Sequence, residues 1–139
     1  MAFTTTTLRD TVVNAAGAGG TVTVLVNISN DTTATNAILD ASGLDGHANG
    51  AKLDISRIWW GLVQGTADDN TGHVQLIEQG DTDLTLIDLA GTGHYDGSAG
   101  LIKSRAVNTG ATSGDFEMAC LGTSGFVLIE FKKDANYTT

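Results

Sequence analysis

Thr21-Val22-Thr23-Val24-Leu25-Val26-Asn27-Ile28 alternates without a break. Successive side chains of a strand point to opposite faces. Val22, Val24, Val26 and Ile28 therefore share one side, and Thr21, Thr23, Leu25 and Asn27 the other. Asn30-Asp31 ends the run. Similar runs, separated by Gly, Asp and Asn, continue to Lys133. Leu53 to Gln64 is the most apolar: Ile55, Arg57, Trp59 and Val63 share one face, Ile58, Trp60 and Leu62 the other. Two covered faces suit a central strand or one covered by a neighbouring subunit. Val74 to Glu78 and Leu84 to Leu89 read as a hairpin through Gly80-Asp81. Leu101 to Ala106, Phe116 to Leu121 and Phe126 to Phe131 follow. Gly122-Thr123-Ser124-Gly125 reads as a hairpin between the last two. Ala34 to Asp40 fits a short strand or a helical turn, and Gly91 to Gly100 reads as a polar loop. Seven or eight short strands at this spacing predict an all-β, single-domain β-sandwich of jelly-roll-like kind.

The 139 residues suit one domain. The expected division is a flexible N-terminal arm, 1–20, and a β-sandwich domain, 21–139. Leu8 to Ala16 has the pattern of two helical turns capped by Thr7, before a Gly- and Ala-rich hinge. No apolar run is long enough to cross a bilayer as a helix, and no secretory leader is expected at the start. Net charge is −9, with seven Lys and Arg scattered along the chain. Binding to nucleic acid through phosphate neutralisation needs a basic patch, so no nucleic-acid partner and no membrane partner are expected. Thirteen of the sixteen acids are Asp. Asp favours turns and caps, which places these carboxylates at loop corners. The single cysteine, Cys120, has no internal disulfide partner.

Reactive constellations are sparse. His47, His73 and His94 sit beside Gly in or near turns, without metal-ligand spacing, although His73 and His94 lie on opposite ends of two predicted strands and could meet in space. Asp68-Asp69-Asn70 and Asp81-Thr82-Asp83 lack the offsets of a calcium loop. Ser124 lies outside the frame of a nucleophile elbow, and Cys120 lies among apolar neighbours. No phosphate loop occurs. The expectation is no enzyme, no catalytic residues, no cofactor and no metal. Trp59-Trp60 must project to opposite faces, one into the core and one toward a loop, a partner or a sugar ring.

Val24 to Asp31, Ile38 to Leu44, Leu53 to Trp60, Val74 to Leu76, Gly93 to Asp96, Thr112 to Asp115 and Gly125 to Lys133 follow one another in an order that resembles small virion structural proteins of tailed bacteriophages. The resemblance implies an all-β virion component with no catalytic residues to carry over. Within a virion, it implies a capsid decoration (cement) protein on the capsid exterior. Its partners would be the major capsid protein and itself, as a homotrimer on a local three-fold axis. An arm would order on the lattice, and repeated copies would convert weak contacts into avidity. The partner-binding residues expected on that basis are Thr4, Thr5, Thr6, Thr7, Leu8, Arg9, Val12, Val13 and Trp60. Alternatives are a tail, neck or baseplate part, or a carbohydrate-binding module with Trp59 or Trp60 and Tyr95 as the stacking platform.

Overall fold

The computed structural model describes residues 2–11, 20–33, 36–48, 52–65, 72–80, 82–105, 115–134 and 137. Among them lie nine strands, β1 (Ala2–Asp10), β2 (Thr21–Asp31), β3 (Asn36–Leu39), β4 (Leu53–Gln64), β5 (His73–Glu78), β6 (Leu84–Ala90), β7 (Thr92–Tyr95), β8 (Phe116–Leu121) and β9 (Thr123–Lys133), and one 3₁₀ turn, Ala41–Gly43, with no α-helix. They form two antiparallel sheets, β1-β2-β9-β4-β7 and β3-β8-β5-β6. The pairs β2·β9, β3·β8, β4·β7 and β5·β6 are nested, each inside the one before. A long hairpin rolled onto itself gives this order, so the β-sandwich has jelly-roll topology.

The alternation that predicted β2 also fills the core. Val22, Val24 and Val26 are fully buried beside Val127, Ile129 and Phe131 of β9. Val74, Leu76, Met118 and Phe116 cover them from the second sheet. Phe116 and Phe131 join the sheets, with ring centroids 4.8 Å apart. Each such side chain contributes about 1.5–3 kcal/mol through burial.

Four local expectations are corrected. In β4 the register slips between Ile55 and Arg57, so Ser56 is an extra residue. A bulge inverts side-chain parity. Ile55 therefore turns inward with Ile58, rather than outward with Trp59. Second, Gly122, with φ of 68°, leads from β8 in one sheet to β9 in the other, so 122–125 is a sheet-crossing corner rather than a hairpin. Third, the supposed polar loop contains β7, paired to β4 from Ile58↔Tyr95 to Gly61↔Thr92. Fourth, of the strand expected at Leu101 to Ala106, residues 101–105 are described and form one bridge, Ile102 to Ile55. Beyond it, Asp54 accepts from Ser104 N (2.8 Å) and Lys103 Nζ (2.8 Å), while buried Glu78 accepts from Arg105 N (2.8 Å) and the Ser104 hydroxyl. Carboxylates from both sheets take up amides that a strand would offer to a neighbour.

Residues 2–10, expected within a loose arm that turns helical at Leu8, form β1 instead. It pairs antiparallel with β2 from Ala2↔Ser29 to Asp10↔Val22. Four consecutive threonines favour the extended state, but only β2 supplies the ladder. Val12 and Val13 lie outside the described residues. The far end of β1 is anchored by an ion pair. Lys133 Nζ lies 2.5 Å from Asp10 Oδ1 and 2.7 Å from the Asp45 carbonyl, and 5.3 Å above the Tyr137 ring. Asp45 N donates to the other Asp10 oxygen at 3.0 Å.

Candidate functional site

The groups that carry chemistry are spread out. His94 pairs with Trp59 on the outer face of the five-stranded sheet. His73 lies on the outer face of the other sheet, out of phase with buried Val74 and Leu76. The two therefore face apart. His47 is half-buried against Tyr137, ring centroids 5.7 Å apart, with Nε2 enclosed. Ser124 Oγ accepts from Asn30 N (2.8 Å), a structural contact. The Asp68 run lies outside the described residues. Asp40 accepts from the Ser42 hydroxyl (2.6 Å) and amide (3.0 Å), which hold its carboxyl below the usual range. Among the described residues no three His, Cys, Asp or Glu side chains converge as metal ligands.

Cys120 is fully buried on β8. Burial, with Asp31 nearby, pushes its thiol up to about 12. The reactive species is the thiolate, so the folded protein should leave an aromatic disulfide reagent unreacted at pH 8 and react fully in denaturant. Fast labelling of the folded chain would contradict this burial.

Outward-facing residues of the five-stranded sheet are aligned by its register. One row runs Thr6, Leu25, Leu128, Trp59, His94. The next runs Thr4, Asn27, Phe126, Gly61, Thr92. Phe126 is 40% and Val63 64% exposed, while Leu25, Leu128 and Trp59 are half-buried. The Phe126 ring lies over Gly61, where an added Cβ would stand 2.8 Å from it. An apolar stripe thus crosses this outer face. Arg57, Glu130 and Lys132 lie at one end, with Arg57 Nε 3.9 Å from Glu130.

Of the expected partner-binding residues, Thr4 to Thr7, Leu8 and Arg9 all lie on edge strand β1. Trp60 does not join them. It leans on the core and donates from Nε1 to the Ala90 carbonyl at 2.9 Å. The outward ring is Trp59. Tyr95 pairs with Ile58, on the same side as Trp60, so the sugar platform of Trp59 with Tyr95 does not form. Adjacent strand positions guaranteed opposite faces. The bulge at Ser56 leaves the parity from Ile58 onward in phase with the core. Beside β1, a cleft of about 490 Å³ opens between Thr5, Thr7 and Asp10 on one wall and Ala37, Ile38, Leu39, Asp40 and Leu44 on the other. Sequence alone did not reveal it, because its walls come from different sheets.

No protein-family model, no curated protein and no solved structure matches this chain.

Proposed function

We propose that the protein is a bacteriophage capsid decoration (cement) protein. It is non-catalytic, self-associates as a homotrimer, and binds the major capsid protein lattice from outside to stabilise the head. The observation that carries this reading is the apolar stripe of Leu25, Leu128, Trp59, Phe126 and Val63 on an outer sheet face. Contiguous exposed apolar surface marks protein contact sites. At one end of the stripe Arg57 and Glu130 lie together and Lys132 is exposed, so charges of both signs there can set the register of a neighbouring copy. Jelly-roll sandwiches recur in viral shells, which supports the assignment by analogy of fold. Trimerisation would present three weak lattice contacts at once and raise their joint affinity.

Trp59→Glu should convert the trimer to monomer in sedimentation velocity and weaken sedimentation with particles lacking the protein at least tenfold, because interface aromatics commonly contribute about 2 kcal/mol or more. A wild-type chain that is monomeric and fails to sediment with such particles would remove the proposal.

A further inference from the structure

The free edge of β1 has a defined hydrogen-bonding polarity. Thr11 N donates to the Thr21 carbonyl, so odd residues of β2 bond toward β1. Lys133 N donates to the Gly20 carbonyl, so even residues bond toward β9. Phe3, Thr5 and Thr7 stand opposite Ile28, Val26 and Val24. Their N–H and C=O groups therefore point away from β2. Among the described residues no strand pairs with this edge. It carries no charge or proline from Ala2 to Leu8, where natural edges are usually guarded by one or the other. The other edge of this sheet, β7, has only four residues.

The same three residues turn their side chains to the sandwich interior side, where Thr5 and Thr7 wall the cleft. The cleft's opposite wall is formed by Ile38, Leu39 and Leu44, which are buried in the core and present only small apolar edges to it. A strand added to β1 would extend the five-stranded sheet over this cleft and drop every second side chain into it. Asp10 and Asp40 are the cleft's charged residues, and no Lys or Arg lines it. Asp10 is already paired with Lys133, so Asp40 is the available charge.

We propose that the β1 edge and its adjoining cleft form a strand-docking site for an extended segment of another protein, apolar at alternate positions and carrying lysine or arginine. Backbone bonds to Phe3, Thr5 and Thr7 supply affinity, and the cleft selects the side chains. A second copy fits less well. Its own β1 would set threonines over an apolar floor, and from Ala2 to Leu8 it offers no lysine or arginine to Asp40. The site rests on the reading that this protein binds other proteins, but not on the identity of the particle.

The probe is a nine-residue acetylated and amidated peptide alternating lysine and valine, titrated with the full chain by fluorescence anisotropy. Saturable binding is expected, with slowed amide exchange at Phe3, Thr5 and Thr7. A scrambled peptide without the alternation should bind at least tenfold more weakly. Thr5→Pro removes a donor that points away from β2 and should weaken binding at least tenfold. Asp40→Asn should weaken it about threefold at low salt. No saturation up to about 1 mM, equal binding by the scrambled peptide, or exchange protection at another edge overturns the site. So does sedimentation showing β1-to-β1 dimers that Thr5→Pro abolishes. The exchange map uses the unmodified chain and decides the matter even if Thr5→Pro misfolds. Peptide capture by a chain that fails to bind particles supports the site and removes the particle; the reverse pair of results removes the site and leaves the particle.

Discussion

Asp10→Ala should cost the fold about 3 kcal/mol, the lower end of the range for breaking a buried ion pair. The Lys133 side chain is 0% and that of Asp10 22% accessible, so the cation left behind stays enclosed except where the removed carboxylate faced the cleft. Its remaining contacts are the Asp45 carbonyl and the face of Tyr137, neither of which neutralises it. The loss also frees Asp45 N, which donates to the same carboxylate. With a urea slope of about 2 kcal/mol per molar, the midpoint should fall by about 1.5 M. Amide exchange should rise first along β1. Adding Lys133→Met should recover most of the loss, since an apolar side chain of similar length suits a site beside buried Phe131 and Tyr137. A fall of less than about 0.5 M for Asp10→Ala, or no recovery in the double variant, would contradict a buried pair as the anchor of β1.

Gly125→Ala should be the most damaging such substitution among the described glycines. Gly125 has φ of 136°, a conformation available in practice only to glycine. An added Cβ would stand 2.0 Å from the Gly61 carbonyl oxygen and 3.1 Å from Leu62 Cα. Those are backbone atoms of the interior strand β4, so no rotamer change relieves the clash. Backbone strain of about 1–3 kcal/mol adds to overpacking of similar size. A combined loss of about 4 kcal/mol should appear as a strongly lowered urea midpoint or as failure to fold. Gly43→Ala is the control. Nothing lies within 4 Å of its added Cβ, and its midpoint should match the parent within the roughly 0.5 kcal/mol of a neutral surface change. Equal behaviour of the two variants would rule out close approach of β9 and β4 at this point.

What the chain declared in advance was periodic. Val22 to Ile28 named its own buried face, and continuing the β9 phase from Val127, Ile129 and Phe131 would have put Lys133 inside. The same phase from Val74 and Leu76 leads to Glu78, which is fully buried. A charged residue at the last inward position of a strand was a legible sign of a partner at the sandwich end. That partner was not legible: Asp10 is 123 positions from Lys133. Strand β1 stayed hidden for a similar reason, since its ladder depends on β2 rather than on its own pattern. A single extra residue, Ser56, moved Ile55 to the other face without any turn residue to announce it. Trp59 and Trp60 were correctly split between faces, but the choice between them depended on that bulge. The cleft beside β1 is a product of five strands overlying four, which no local pattern encodes.

The most direct test of a shell-binding role is the number of copies of this chain per purified phage particle, counted by quantitative mass spectrometry. A protein that covers a head lattice should be present in hundreds of copies, on the order of the capsid subunit number, and in a multiple of three. About a dozen copies or fewer would place it in a tail or neck ring, and none at all would contradict a virion role outright.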